Sequence, residues 1–178
     1  MRLAPHPYDG GQRGWPEGER DFLQRVELDA QPLSRGRTGW GLRYRATSSN
    51  HLSFETFASY YRLPAPAKVL RYMGGGVRGE LARGPRGLWE WVLGGAYLNG
   101  ASTAGGPRLG LGGALFPKNP LVLEAEADIV IPGGRPLGEL SASLGASFGA
   151  LEARAGWRAL TGPLSTISGP EFGLVARF

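Results

Sequence analysis

Cysteine is missing from the chain, which excludes disulfide frameworks, thiolate nucleophiles and thiolate metal sites. Histidine is nearly missing: His6 and His51 are the only two, too few for a multi-histidine metal centre. Lysine is equally scarce, since of 20 basic residues only Lys68 and Lys118 are lysine and the rest are arginine. No run approaches the ~18 consecutive apolar residues of a spanning helix, and the mean hydropathy is -0.20. Nor does any stretch carry a helical apolar repeat long enough to organise the chain. These absences lead us to expect no metal and no cofactor.

Glycine and proline are plentiful, at 30 and 14 residues, and are spread along the chain as punctuation rather than gathered in one tract. That distribution indicates many short elements with turns between them. Residues 1–21 are polar and turn-rich and read as a flexible N-terminal segment. Period-two segments then follow at 22–31, 39–48, 51–62, 69–82, 87–99, 107–116, 121–131, 137–148, 150–160 and 171–178. Most match the ~9–11 residues that a tilted strand needs to cross a bilayer. The expected fold is all-β, a closed antiparallel up-and-down transmembrane β-barrel of ten strands over 22–178. Eight strands is the alternative, if 22–31 is an extension and one weak pair merges.

The alternation is clearest in 121–131, where Leu121, Leu123, Ala125, Ala127, Ile129 and Ile131 share one face. Glu124, Glu126 and Asp128 share the other. The last strand sets Phe172, Leu174, Ala176 and Phe178 against Glu171, Gly173, Val175 and Arg177. The weakest segment is 69–82, where "MGGGV" interrupts the pattern and suggests a bulge or bend.

Three observations choose which face points inward. The charged face is filled out with small residues, such as Ser141, Ser143, Gly145 and Ser147, as a crowded barrel interior requires. Every acid after residue 22 falls on that face, eleven in all, with nine arginines: Arg25, Arg43, Arg45, Arg71, Arg78, Arg108, Arg154, Arg158 and Arg177. Near-balance of sign is what a confined, pairing interior demands, because unpaired buried charge is costly. Aromatics near strand ends, Trp40, Tyr60, Tyr72, Trp89, Trp91, Tyr97, Phe148, Trp157, Phe172 and Phe178, match the belts of a membrane interface. Charges in and lipid out is the expectation. A soluble lipocalin-like ligand-binding barrel, with the faces inverted, is an alternative. Connections also alternate between a short set ("SSN", "RGPR", "PKNP", "FGA") and a longer one, as a barrel with two unlike ends would show.

On these features the chain resembles a small bacterial outer-membrane β-barrel of the general OmpA-transmembrane/OmpX type. The resemblance covers about residues 22–178 and is one of pattern. Its most specific element is the C-terminal strand, with Phe172, Leu174, Ala176 and terminal Phe178. It implies a bacterial outer-membrane location, a periplasmic 1–21 segment and a signal peptide removed from this chain. It also implies recognition of the last strand by the barrel-assembly machinery.

The one catalytic-looking cluster is "HLSFE", with His51, Ser53 and Glu55 at alternate positions. It is similar to the Ser, His and Glu set of outer-membrane lipid A deacylases, but Phe54 stands where their His-x-Ser motif continues with Asn. Side chains two apart on a strand point in parallel, so a nucleophile–base contact is not implied. A lipid-modifying enzyme is the second functional alternative. Tandem Glu124, Glu126 and Asp128 read as partners of arginine rather than as a cation site. The basic surplus behind the net charge of +5 sits in the loops, including Arg35, Arg37, Arg62, Lys68 and Arg135. Those residues suit outer-membrane lipids and lipopolysaccharide as partners. No basic stripe with interleaved aromatics points to nucleic acid.

The resulting site expectations are a lumen charge network and an aromatic belt. The network comprises Arg43, Arg45, Glu124, Glu126, Asp128, Glu152, Arg154, Arg158, Glu171 and Arg177. The belt comprises Trp40, Tyr72, Trp89, Trp91, Trp157, Phe172 and Phe178. Together they describe a structural, anchoring or adhesive barrel, with at most narrow small-solute passage.

Overall fold

A computed structural model describes residues 22–33, 37–48, 52–63, 69–84, 86–100, 103–162 and 166–178. They form ten antiparallel strands: β1 (Phe22–Leu33), β2 (Arg37–Ser48), β3 (Leu52–Arg62), β4 (Val69–Gly84), β5 (Gly87–Asn99), β6 (Thr103–Leu115), β7 (Leu121–Val130), β8 (Leu137–Phe148), β9 (Leu151–Thr161) and β10 (Thr166–Arg177). Each pairs with its sequence neighbours, and β1 pairs with β10, so the sheet closes into a barrel. Ten strands hold, and the eight-strand alternative falls. The expected 1–21 segment lies outside the described residues.

The two faces separate cleanly. Along β3 the burial alternates strictly, with Ser53, Glu55, Phe57, Ser59 and Tyr61 inside and Leu52, Phe54, Thr56, Ala58 and Tyr60 outside. Large apolar side chains stand exposed on the outer wall, among them Leu28, Leu109, Leu111, Leu140, Leu174 and Phe148. Buried among the inward residues are Glu27, Glu55, Arg78, Arg108, Glu152 and Arg177. A soluble barrel with inverted faces is therefore ruled out, since burying the charges and exposing the leucines is the reverse of that design.

Strand β4 corrects two expectations. The triple glycine is regular: Gly74, Gly75 and Gly76 pair in register with β3 and β5. The register shift lies between Glu80 and Ala82 instead. A single alternation therefore runs unbroken through 69–80, and because Arg78 and Glu80 face inward, so does every other even residue. Tyr72 is fully buried in the barrel, not part of an outer belt, and Arg71 is exposed on the outer wall, not part of the lumen.

The unequal connections are also corrected. The connections at 49–51, 85–86, 116–120 and 149–150 lie at the end carrying the N-terminus of β1 and the C-terminus of β10. Those at 34–36, 63–68, 100–102, 131–136 and 162–165 lie at the opposite end. The latter are shorter than the turn residues suggest, because β6 starts at Thr103 and β10 at Thr166, inside stretches read as loop. The difference in length narrows: 34–36 only equals 49–51 and 116–120 exceeds 100–102, while 63–68 and 131–136 remain the longest.

Glycine shapes the β4–β5 wall by close approach. A Cβ on inward Gly94 would lie against the carbonyl oxygen of Gly75 and 2.8 Å from the Cα of Gly76, so backbone would have to move. A Cβ on its outward neighbour Gly95 meets nothing nearer than a carbonyl oxygen at 3.7 Å. Gly94→Ala is expected to destabilise the barrel by about 1–3 kcal/mol. Gly95→Ala should stay within about 0.5 kcal/mol of the parent. Urea unfolding of both variants, refolded in the same detergent, checks the contrast.

Candidate functional site

The inward positions of six strands, β2 to β7, converge on one network of ion pairs. Glu55, on β3 and fully buried, is its hub. Its carboxylate accepts from Arg78 Nε at 2.7 Å, Arg108 Nη1 at 2.8 Å and Arg45 Nη2 at 3.2 Å. Arg43 Nη1 lies 3.8 Å away. Glu126 joins the same group through Arg43 at 2.8 Å, Arg108 at 2.8 Å and Arg78 at 2.5 Å. Asp128 takes Arg108 Nη2 at 2.7 Å, and Glu90 lies 3.3 Å from Arg45.

A second group centres on Arg154, which reaches Glu27 at 2.8 Å and Asp29 at 2.6 Å. Arg25 grips Glu124 with both terminal nitrogens, each at 2.7 Å. Arg158 bonds Glu139 and lies 3.3 Å from Glu171, while Arg177 pairs with Glu152 at 2.6 Å. All ten residues expected in the lumen charge network thus face the lumen with opposite-sign partners. Sequence reading left Glu55, the hub, among the catalytic candidates, and it named neither Arg78 nor Arg108 as a site residue.

Many pairs span the lumen rather than neighbouring strands. Arg25 on β1 meets Glu124 on β7, and β10, β9 and β8 stand between them around one side of the barrel. Arg43 on β2 meets Glu126 on β7, and Arg108 on β6 meets Glu55 on β3. Opposite walls are tied by long guanidinium side chains, two-pronged from Arg25 to Glu124 and through one terminal nitrogen in the other two pairs.

Above this layer the lumen changes character. Leu33, Phe57, Tyr61, Tyr72, Ala96, Val130, Leu137 and Leu160 form a buried apolar cluster. Leu63, Leu70, Leu98 and Ile167 pack against it. These residues sit where the strands meet the 34–36, 63–68 and 131–136 connections, so the cluster closes that end. Phe57 joins the layers: its ring meets that of Tyr72 at a tilt of 56° with centroids 4.9 Å apart, and lies 4.7 Å beneath the Arg108 guanidinium. At the other end a cavity of about 450 Å³ remains, lined by Leu23, Arg45, Arg83, Glu90 and Phe116 among others. Apolar side chains thus fill one end of the lumen, and a cavity bordered by charged side chains occupies the other.

The catalytic candidates are not brought together among the described residues. Ser53 shares a hydrogen bond with Thr47 Oγ1 at 2.8 Å, and the Glu55 carboxylate is engaged by arginines. His51 lies outside the described residues. Among those residues no group of three His, Cys, Asp or Glu side chains could hold a metal ion. Of the aromatic set, Trp40, Trp89, Trp157, Phe172 and Phe178 project from the outer wall. Trp91 also points outward but is half-buried, with its ring over Gly79.

No protein-family model and no curated protein matches the chain. Among solved structures it is similar to CdiB from Acinetobacter baumannii, at 11% identity and a TM-score of 0.41 over 82% of this chain. The match covers 39% of CdiB, so the chain spans about two fifths of that protein. It is also similar to Neisserial surface protein A (NspA), at 14% identity and a TM-score of 0.35 over 88% of this chain and 96% of that one. Likenesses this distant carry no functional argument.

Removing one side of the hub tests the network. Glu55→Gln leaves Arg45, Arg78 and Arg108 facing a neutral amide in a buried site, with an expected loss of about 3–5 kcal/mol. Glu80→Gln weakens a more exposed pair, with Arg83 at 2.9 Å, and is expected to cost less, about 1 kcal/mol. Denaturant midpoints of the two refolded variants separate these outcomes.

Proposed function

We propose that this chain is a small outer-membrane β-barrel with a closed lumen, serving a structural, anchoring or adhesive role rather than that of a general pore. The observation that carries this reading is the inversion of faces around the closed sheet. The sheet closes through β1 and β10 and its outer wall is Leu, Phe and Trp, which is what hydrocarbon requires of a spanning sheet. Inside, cross-lumen ion pairs and the apolar cluster around Tyr72 and Phe57 occupy the path that a solute would take. Blocked passage follows from both.

On this reading Trp40, Trp89, Trp91, Trp157, Phe172 and Phe178 meet the lipid interface. The β10 strand ending in Phe178 serves as the assembly signal of a bacterial outer-membrane protein. Arg62, at the end of β3, and Arg135, in a connection, then lie near anionic headgroups at the end away from the termini. Arg37, assigned the same role from sequence, instead opens β2 on its lumen-facing side, opposite buried Leu33. Arg35 and Lys68, assigned the same role from sequence, lie outside the described residues.

The test is electrical. Wild-type protein inserted into planar bilayers should give no large, steady conductance, although it partitions fully into lipid vesicles. A stable open channel overturns the closed-lumen reading. Protein that stays monomeric in buffer without detergent overturns the membrane reading.

A further inference from the structure

Two charges take no part in the lumen. Among the described residues, Arg62 and Arg71 are the only charged side chains on the outward face of a strand. Arg62 ends β3 and Arg71 is near the start of β4, so both sit at the end away from the termini. Arg62 pairs in register with Val69, two residues before Arg71. The arginines are therefore diagonal neighbours, with backbones about 7–8 Å apart, close enough for both guanidiniums to reach one anion. Every acid from residue 22 onward belongs to a lumen-facing position, so no carboxylate shares their face.

The wall beside them is dented. One register row runs Ala30, Trp40, Tyr60, Arg71, and the next runs Leu28, Leu42, Ala58, Met73. Ala30 and Ala58 are the small positions, and Trp40 and Phe172 stand proud of them, more than half exposed at 61% and 52%. The result is an apolar groove of about 750 Å³ that extends from Phe172 and Leu174 on β10 to Arg71 and Met73 on β4. Five adjacent strands at ~4.8 Å spacing give it a width of roughly 19 Å. That is room for several acyl chains side by side.

We infer that Arg62 and Arg71 clamp a phosphate of one multi-acylated, phosphorylated glycolipid, whose chains lie in this groove. The inference rests on the membrane reading and gives its lipid contact a defined place. Guanidinium is the cation suited to phosphate, because its planar fork donates two parallel N–H bonds. Tyr60 and Trp40 supply amphipathic edges at the depth where headgroup meets chain. The width of the groove, rather than its charge, is what favours a many-chained lipid over a two-chained one.

The experiment uses wild-type barrel refolded in detergent, with folding checked by circular dichroism, then incubated with lipid A or with phosphatidylglycerol. Native mass spectrometry reads the lipid retained. Wild type should hold one lipid A, and a double Arg62→Gln, Arg71→Gln variant should retain about tenfold less, a difference of ~1.4 kcal/mol. Lys118→Gln, in the 116–120 connection at the opposite end of the barrel, should match wild type. Equal retention by the double variant overturns the clamp and reduces the two arginines to side chains that merely reach toward water. Equal retention of phosphatidylglycerol overturns the glycolipid assignment. A wild-type barrel that does not enter vesicles at all removes the membrane reading, and this inference with it.

Discussion

The rest of this structure depends on guanidinium–carboxylate pairing across a lumen too narrow to leave the charges in bulk water. Closing ten strands fixes the diameter, and the inward positions must then be filled. Glutamate and arginine fill them here, and their desolvation is offset only where each charge meets several partners. Glu55 touches arginines from β2, β4 and β6 at once. The inner wall is moulded to this network. A Cβ on Gly145 would lie 2.5 Å from a carboxylate oxygen of Glu152, and one on Gly173 would lie 2.8 Å from Arg154 Nε. Glycine on the inner face is thus part of the ion-pair geometry, and the predominance of arginine over lysine has its physical reason in reach and two-pronged contact.

The lumen is not uniform along its axis, and this asymmetry has functional meaning. Toward the termini, charged side chains border a cavity; toward the other end, aromatic and aliphatic side chains seal it. Arg108 links the zones, holding Glu55 and Asp128 while its guanidinium covers the Phe57 ring. A cation over an aromatic face in a dry setting is favourable by about 2 kcal/mol. The boundary between polar and apolar filling is itself bonded. An ion entering from the termini side meets matched charges and then hydrocarbon.

Most of the barrel was legible in the sequence because a strand with unlike faces writes its period directly into the residues. Runs such as Leu121–Val130 and Leu151–Leu160 hold the alternation without a break, and the structure has strands there. Arg71 and Tyr72 were misplaced because glycine carries no side chain to report a face. A bulge at Gly74–Gly76 and one at Leu81 predict opposite orientations for 69–73. The apolar seal was missed for a different reason. Inward positions were recognised by their charge, so Tyr61, Val130 and Leu160, which continue the same faces beyond the last charge, passed unnoticed. The cross-lumen partners lay beyond reach, since knowing that β1 faces β7 requires the strand count and the closure together.

The seam between first and last strands shows how far the network reaches. The last residue completes it: Phe178 N–H donates to Gln24 O at 3.0 Å, and Gln24 N–H donates to Phe178 O at 2.8 Å. The paired register runs only from Arg25 opposite Arg177 to Ala30 opposite Phe172. Beyond it Pro32 and Pro170 have no amide hydrogen to offer, and the Gln31 side chain bridges the gap to the carbonyls of Arg158 and Gly169. At the other end of the seam Arg177, Arg25 and Arg45 stand side by side in register on β10, β1 and β2. Three like charges in a row would drive these strands apart. Each is held by different acids: Arg177 by Glu152, Arg25 by Glu27 and Glu124, Arg45 by Glu55 and Glu90. Closure of the seam is therefore conditional on carboxylates from β3, β5, β7 and β9 already standing in the lumen. The sheet and its charges have to be completed together.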